Sequence, residues 1–148
     1  MSVSDTLILR ALTVDELPLL HTLWNQAELE YRPKGRDTVE NLAKELAVNP
    51  TGFIGAFLNG RLIGFVLASD DGRRGWINRL AVHPDYRGQQ VGERLIAEAE
   101  RVLHAQGRQI VAALIEEHNT HSQNLFKRVG YLVMPEVLYF SKRASWDV

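Results

Sequence analysis

The chain has 148 residues, and 17 Lys and Arg against 18 Asp and Glu give it a formal net charge of -1. This length predicts one domain over residues 1–148, which would remove about two thirds of its surface from water. The balanced charge excludes a general attraction to polyanions, so we expect no nucleic-acid partner and no binding to an anionic membrane. Because the chain has no cysteine, disulfides, thiolate metal sites and a thioester on the protein are excluded.

The absence of cysteine makes the cytoplasm the default compartment, and the hydropathy pattern predicts neither a membrane span nor a signal peptide. The longest apolar run, residues 110–115, is far shorter than the ~20 residues that cross a bilayer. The first residues include Asp5 and lack the basic and apolar regions of a signal peptide. Hydrophobic residues make up 45% and charged residues 24% of the chain, as in ordinary folded domains. We therefore expect an untargeted domain without a membrane span.

One strand and two amphipathic helices are predicted first. Residues 7–11 are typical of a short strand, and the capping-box spacing from Thr13 to Glu16 precedes an apolar stripe with a helical period. Asp37 and Glu40 repeat this spacing and predict the start of a second helix, which Pro50 closes. The two stripes consist of Leu17, Leu20, Trp24 and Ala27, and of Leu42, Ala43, Leu46 and Ala47.

Three consecutive antiparallel strands follow in the pattern. Residues 53–58 and 61–68 flank Asn59-Gly60, the dipeptide that best accepts the two positive φ angles of a type I′ turn. A second turn at residues 70–75 leads to a strand over residues 76–82. This part of the chain therefore predicts a meander of paired strands.

The rest of the chain alternates helices and strands. From Val91 the apolar positions follow a helical period that ends near Gly107. The unbroken apolar run over residues 110–115 predicts a strand buried on both faces.

A short helix and two further strands end the prediction. Asn119 or Thr120 can cap the helix, which Gly130 ends. Val133 and residues 138–142 predict the last two strands. The order β-α-α-β-β-β-α-β-α-β-β predicts a mixed α+β domain, with a largely antiparallel sheet and helices on both faces.

The most informative segment is a loop that leads from a strand directly into the long helix, within residues 80–92. The unpaired N–H groups of a helix amino terminus, together with the helix dipole, form a site for phosphate oxygens. Glycines in the loop can direct further N–H groups to the same point, and Arg87 adds a positive charge. By spacing alone, a phosphate site and an ordinary strand-to-helix connection are equally good interpretations.

Two motifs in this order resemble those of the GCN5-related N-acetyltransferase (GNAT) superfamily. Residues 80–92, LAVHPDYRGQQVG, are similar to its acetyl-CoA signature Gln/Arg-x-x-Gly-x-Gly/Ala. Residues 119–131, NTHSQNLFKRVGY, are similar to its Asn-x-x-Ala-x-x-Leu-Tyr-x-Lys-x-Gly-Phe segment. The resemblance assigns cofactor contacts to Leu80, Ala81, Val82, Arg87, Gly88, Gln89, Gln90, Val91, Gly92, Asn119 and Phe126.

The resemblance implies a single acetyltransferase-like domain that uses acetyl-CoA as cosubstrate and needs no metal. In that family the signature strand splays from its neighbour, and pantetheine pairs with the exposed backbone of the signature strand. By resemblance, the N–H groups near Leu80 and Val82 would hold pantetheine and polarise the thioester carbonyl. Fixed amides of this kind are the usual means of stabilising an oxyanion.

This sequence departs from the family pattern at three positions. Gln90 stands at the first signature glycine, where a side chain costs about 1 kcal/mol if the backbone is left-handed. Asn78 aligns with a frequent carboxylate base, and an amide can orient a water but cannot act as a base. Phe126 aligns with the frequent tyrosine acid and has no hydroxyl, which leaves Tyr131 and Tyr139 as alternative donors.

Amine acetylation requires a group that removes a proton. An alkylammonium with a pKa near 10.4 is almost fully protonated at neutral pH, so a base or a chain of waters must deprotonate it. Glu116, Glu117 and His118 follow the predicted buried strand, on the side where the two strands would part. They are our candidate bases, and solvated charges at a loop end are the alternative interpretation.

The acceptor side is assigned to the loop between the first two helices. Glu28, Glu30 and Tyr31 occupy the region that resembles the acceptor wall of the family. Acidic groups there suit a cationic amine, although polar loop residues are commonly just solvated. The histidines at positions 21, 83, 104 and 121 show no metal-ligand spacing with one another.

Three functions stay open from the sequence. The first is direct acetyl transfer to a primary amine, either on a small molecule or on a protein. The second is a CoA-binding module with little or no turnover, and the third is a domain that binds another nucleotide. The Asn59-Gly60 hairpin argues against the parallel sheet of a dinucleotide-binding domain. The oligomeric state is also open, and a homodimer is one alternative.

Overall fold

The computed structural model describes residues 6–146 and residue 148, and a single mixed sheet organises them. The strands are β1 (Leu7–Ala11), β2 (Phe53–Leu58), β3 (Arg61–Asp70), β4 (Gly75–Val82) and β5 (Val111–Ala113). The helices are α1 (Pro18–Gln26), α2 (Val39–Val48), α3 (Val91–Ala105) and α4 (Thr120–Arg128), with short 3₁₀ helices at Val14–Glu16 and Pro84–Tyr86.

The strands lie in the order β1-β2-β3-β4-β5. Neighbouring strands are antiparallel from β1 to β4, and β5 pairs with β4 in parallel. Asn59 and Gly60, between β2 and β3, have φ angles of 51° and 79°, which confirms the predicted turn with two positive φ angles. The predicted fold class, a largely antiparallel mixed sheet in an α+β domain, is confirmed.

Two apolar clusters cover the two faces of the sheet. One joins α3 and α4 to alternate side chains of the sheet, among them Ile54, Ile63 and Val66. The other joins α1 and α2 to the opposite face through Phe53 and Phe65. Successive side chains of a strand point to opposite faces of the sheet, so the two clusters bury both faces. Helices therefore cover both faces of the sheet, as predicted.

The helix boundaries follow local capping chemistry. The side chain of Thr38 accepts a hydrogen bond from the Asn41 N–H at 3.1 Å and caps α2. The cap is therefore Thr38 and not Asp37, and the carboxylate of Asp37 binds elsewhere. Asn119 caps α4 through the Ser122 N–H at 3.1 Å, as predicted. None of the helices among the described residues combines the length and apolar character of a bilayer span.

The carboxyl-terminal strands are where the prediction is wrong. Val133 and residues 138–142 form no strand, because alternating apolar residues specify a face but supply no neighbour for the backbone N–H and C=O groups. The run over residues 110–115 forms only the three-residue β5, and Ile110 and Leu114 are exposed. The run is not buried on both faces, because the three residues of β5 are only half-buried.

Candidate active site

The candidate site begins where β4 and β5 part. The two strands pair over three positions, from Gly75 with Val111 to Ile77 with Ala113. β4 then continues over residues 78–82 beside β3, whereas β5 ends. The backbone groups on that side of β4 therefore have no strand partner in the part of the chain that the structure describes. This open edge is what the family resemblance predicts for the pantetheine arm.

β4 contains a bulge within this open stretch. Leu67 pairs with Asn78 and Phe65 pairs with Ala81, so β4 has one more residue than β3 between these pairs. Arg79 lies in the bulge with a φ of 57°, a left-handed conformation that is strained for a residue with a side chain. A bulge redirects the side chain that it carries, and here the Arg79 side chain reaches the loop between α1 and α2.

The end of β4 carries three of the predicted cofactor contacts. Ala81 is buried in the cluster on the α1 side, and Leu80 and Val82 are half-buried against the cluster on the α3 side. The side chains of this segment thus anchor it in both cores. Its backbone lies at the open edge, where the predicted contacts with pantetheine would form.

The loop after β4 ends at an uncapped helix terminus. Gly88 has a φ of 76°, and Gln90 has a φ of 65° and forms the N-cap position of α3. The Gln90 side chain makes no capping hydrogen bond, so the first N–H groups of α3 and the positive end of its dipole face the loop. The predicted cofactor residues Arg87, Gly88, Gln89, Gln90, Val91 and Gly92 all lie in this loop or in the first turn of α3.

Gln90 is expected to strain this loop. Because a left-handed backbone costs about 1 kcal/mol for a residue with a side chain, Gln90→Gly should raise the free energy of unfolding by about that amount. The affinity for acetyl-CoA should be equal or tighter, as measured by calorimetric titration. Gln89→Gly is the matched control, because Gln89 has no positive φ and the change should not stabilise. Equal stability changes in the two variants would contradict the assignment of strain.

Gly92 allows α3 and α4 to approach each other. A Cβ atom at this position would lie 2.7 Å from Cδ2 of Leu125 on α4, closer than side chains pack. The glycine therefore brings the second motif against the first turn of α3. A glycine at this signature position therefore serves the packing of the two helices, in addition to any contact with phosphate.

Arg87 has a protein partner near the loop. Its Nη2 donates a hydrogen bond to the carbonyl of Ala27 at 3.2 Å, at the carboxyl end of α1, where carbonyl groups lack helical partners. A guanidinium has five N–H donors, so the exposed side chain keeps donors for a phosphate. Arg87 therefore links the signature loop to the helix that precedes the predicted acceptor wall.

The candidate bases lie at the same end of the sheet as the open edge. Asn78 is half-buried where β5 stops pairing, and Glu116, Glu117 and His118 follow β5 in an exposed loop. The side-chain amide of Gln123 donates to the carbonyls of Glu116 and Glu117 at 3.0 and 2.8 Å. The loop backbone is thus fixed to α4 while these side chains are solvated. Among the described residues, no group of His, Asp and Glu side chains could hold a metal ion.

The second motif supplies packing rather than a proton donor. Phe126 is buried, and its ring meets that of Tyr131 edge-on at 5.0 Å between centroids. The Tyr131 hydroxyl donates to Glu100 on α3 at 2.8 Å. Burial, followed by this hydrogen bond, raises the pKa of Tyr131 well above its usual range. Tyr131 is therefore a poor candidate for the acid that protonates a leaving thiolate.

The predicted acceptor residues lie in the loop between α1 and α2. The Tyr31 ring packs 5.3 Å from the Trp24 ring, between centroids, and its hydroxyl donates to Asn25 at 3.0 Å. Glu28 is exposed with a φ of 58°, and Glu30 is exposed. The structure thus brings a tyrosine and two carboxylates to one loop, beside the carboxyl end of α1.

An ion pair that the sequence analysis missed connects this loop to β4. Nη1 of Arg79 donates to the Glu30 carbonyl at 2.7 Å, and Nη2 donates to the buried carboxylate of Asp37 at 2.8 Å. The same carboxylate accepts the Arg32 N–H at 2.6 Å. The sequence contained a signal for this pair, because Arg79 is a charged residue in the middle of a predicted strand. A charge in a buried strand needs a partner.

The surroundings of this pair are partly desolvated. Burial lowers the pKa of Arg79, whereas the charge of Asp37 raises it. Burial, and then the charge of Asp37, raises the pKa of the half-buried Glu45 on α2. The guanidinium carbon of Arg79 lies 5.6 Å from the Trp24 ring centroid. Arg79 thus joins β4, α1 and the loop into one unit.

Comparison with known proteins identifies the family. The model of the acetyltransferase (GNAT) family matches residues 17–131, more than half of the chain. An acetyltransferase of Sodalis glossinidius is 29% identical over 139 residues, which cover 94% of this chain and 96% of that protein. An acetyltransferase of Pectobacterium atrosepticum is 30% identical over 123 residues, which cover 83% of this chain and 86% of that protein. The chain belongs to the GNAT family and is an acetyltransferase, as predicted.

Solved structures share its fold. The PaiA N-acetyltransferase of Thermoplasma acidophilum, in complex with coenzyme A, has a TM-score of 0.73 at 21% identity, over 87% of this chain and 91% of that chain. AAC(6′)-Iy, in complex with the bisubstrate analogue CoA-S-monomethyl-acetylneamine, has a TM-score of 0.73 at 22% identity, over 93% of this chain and 99% of that chain. These neighbours confirm the fold.

Proposed function

We propose that this acetyltransferase takes the acetyl group of acetyl-CoA and transfers it directly to a primary amine of a small molecule or a protein. The observation that carries the proposal is the open edge of β4 beyond Ile77, which leads to the uncapped amino terminus of α3. A strand edge suits an amide-containing arm, and a helix amino terminus suits phosphate oxygens. The coenzyme A bound by the neighbour from Thermoplasma acidophilum supports this cosubstrate.

Different segments of the chain would bind different parts of the two substrates. The N–H groups near Leu80 and Val82 would hold the arm and polarise the carbonyl that receives the amine. The first turn of α3 and the free donors of Arg87 would bind the pyrophosphate. Glu30 and Tyr31 would line the acceptor side, next to the bulge of β4. A cationic amine suits this wall because exposed carboxylates favour a positive charge.

The absence of cysteine makes a direct test simple. Release of free CoA can be followed with a thiol reagent, since the protein contributes no thiol signal. We expect release to depend on an amine from a panel of polyamines, amino acids, aminoglycosides and peptide amino termini. Binding of acetyl-CoA without release for any amine would favour a CoA-binding module. Displacement of acetyl-CoA by ATP or NAD would favour another nucleotide.

Direct transfer predicts a ternary complex. Because no cysteine can carry the acetyl group, we expect both substrates to be bound together, and initial-rate lines for varied amine and acetyl-CoA should intersect. Mass spectrometry of the protein incubated with acetyl-CoA alone should show no acetylated chain. Parallel lines, or an acetylated serine or histidine, would contradict direct transfer.

Proton transfer should leave a one-sided pH profile. Asn78 and Phe126 cannot serve as base and acid, so the amine proton should leave through water toward Glu116, Glu117 or His118. The thiolate then departs without an enzyme acid. We expect kcat/KM to rise through one ionisation and to show no fall below about pH 9.

The tyrosine variants provide the control for this profile. Tyr131 donates to Glu100 and Tyr139 is exposed, so Tyr131→Phe and Tyr139→Phe should leave the alkaline side of the profile unchanged. A symmetric bell whose alkaline limb disappears in either variant would identify that hydroxyl as the acid. Such a result would overturn this account of proton flow without affecting the assignment of the cofactor site.

A further inference from the structure

The side-chain amide of Gln123, on α4, binds two consecutive carbonyls of the loop that follows β5. Its Nε2 donates to the carbonyls of Glu116 and Glu117 at 3.0 and 2.8 Å. Because both partners can only accept, the nitrogen of the amide faces them, and the two contacts use both of its N–H donors. We call these two hydrogen bonds the Gln123 clamp. The half-buried Gln123 therefore fixes the path of the chain after β5.

The clamp is incompatible with a strand at residues 116 and 117. Along a strand, consecutive carbonyls point to opposite sides, so a single nitrogen cannot bind two of them. The chain turns instead, and the Asn119 N–H donates to the Glu116 carbonyl at 3.0 Å. The Glu116 carbonyl thus accepts from Asn119 and from Gln123, which uses both of its lone pairs. The clamp diverts the chain toward α4 and away from β4.

The Val82 N–H faces the open edge of β4. The N–H of the next residue, His83, donates to the Ile63 carbonyl on β3 at 2.7 Å. Because consecutive N–H groups of a strand point to opposite sides, the Val82 N–H points away from β3. It belongs to the stretch whose amide groups the family resemblance assigns to pantetheine.

Continued pairing with β5 would cover this N–H. The pairing begins where the Gly75 N–H donates to the Ile110 carbonyl at 2.9 Å. Extended in parallel, with one residue added for the bulge in β4, it would bring the Glu116 carbonyl to the Val82 N–H. The clamp occupies this same carbonyl. Gln123 therefore holds back the group that would compete with a cofactor for the strand edge.

We propose that Gln123 is a positioning residue that keeps the β4 edge open for acetyl-CoA. By binding the carbonyls of Glu116 and Glu117, it prevents the loop after β5 from pairing with β4. It acts through the backbone of this loop rather than through a contact with either substrate. The inference rests on the proposed function in one respect, the placement of the pantetheine arm along this edge.

The first experiment measures acetyl-CoA binding by calorimetric titration. Gln123→Ala removes the clamp, and we expect about tenfold weaker binding because the open state becomes less populated. Gln123→Glu is similar in size, but an ionised carboxylate can only accept, so the loss should be at least as large. Asn124→Ala is the matched control, because Asn124 is the next residue of α4 and is exposed. Equal affinities in the Gln123 variants and the control would overturn the proposal.

Steady-state kinetics separate positioning from general damage to the site. In Gln123→Ala the KM of acetyl-CoA should rise about tenfold, while kcat at saturating acetyl-CoA should stay within about twofold, because bound cofactor restores the open edge. A fall in kcat without a rise in this KM would assign Gln123 to the candidate bases Glu116 and Glu117, and would overturn the proposal. Circular dichroism establishes that every variant is folded.

Amide hydrogen exchange, followed by NMR, measures the state of the edge directly. Without acetyl-CoA, the Val82 N–H of the wild type should exchange faster than the paired Gly75 N–H, and it should become protected in Gln123→Ala. Equally fast exchange of Val82 in both proteins would overturn the proposal. Acetyl-CoA should slow the exchange of Val82 in the wild type. If it does not, the placement of the pantetheine arm is wrong, while the comparison without acetyl-CoA still decides whether Gln123 holds the edge open.

Discussion

Replacing Arg79 by methionine is expected to lower the free energy of unfolding by about 3 kcal/mol or more. The change removes the cation that binds the buried carboxylate of Asp37 at 2.8 Å and leaves only the more exposed Arg36, 4.0 Å away. Removing one partner of a buried ion pair typically costs about 3–5 kcal/mol. Denaturant unfolding measures the effect. Arg73→Met is the matched control on an exposed turn, where a change within about 0.5 kcal/mol is expected.

The pair itself can be isolated by a double-mutant cycle. Asp37→Asn combined with Arg79→Met should destabilise less than the sum of the two single changes, because the second change removes the charge that the first left unpaired. Additive effects would show that Arg79 stabilises the protein through its aliphatic stem and the Trp24 ring rather than through Asp37.

Arg79 should also affect acceptor binding more than cofactor binding. Its hydrogen bond to Glu30 and its ion pair with Asp37 hold the loop that carries the proposed acceptor wall. The KM of the amine should therefore rise in Arg79→Met while the KM of acetyl-CoA changes little, and Arg79→Lys should recover part of the loss. Equal increases in both KM values would place the defect in the common strand β4 instead.

Local sequence chemistry accounts for most of the fold. The bounds of β1 and β2 and the Asn59-Gly60 turn agree with the prediction because they depend on alternation and on a residue pair that tolerates positive φ. The start of α3 at Val91 agrees because its apolar stripe is long. These features are decided within a few residues of each other along the chain.

Long-range partners account for the failures. Asp37 has capping-box spacing with Glu40, but its neighbour Thr38 can cap equally well, so spacing could not reveal that the Asp37 carboxylate binds Arg79, far along the chain. Residues 138–142 have the composition of a strand, yet they pair with no strand of the sheet, because composition does not specify a pairing partner. In both cases the sequence indicates which interactions the residues can make, but it does not indicate which other residues they pair with.

Loss of the Arg87 side chain is expected to weaken acetyl-CoA binding by about 1–3 kcal/mol, or roughly 5- to 150-fold, the scale of a charge-assisted hydrogen bond. Arg87 is exposed in the loop that leads to α3, and its guanidinium donates to the Ala27 carbonyl at 3.2 Å, which leaves donors for a phosphate. Calorimetric titration of Arg87→Ala with acetyl-CoA measures the loss, which should shrink at high salt because part of it is electrostatic.

The design of this titration separates two roles of Arg87. Arg73→Ala removes an exposed arginine from the turn at the opposite end of β4 and should leave the affinity unchanged, which controls for net charge. Because Arg87 also binds the Ala27 carbonyl, unfolding is measured in parallel, and a small loss of stability is expected from that contact. An affinity for acetyl-CoA as high in Arg87→Ala as in Arg73→Ala would restrict Arg87 to holding the end of α1, and the pyrophosphate site would then rest on the backbone of residues 88–92 alone.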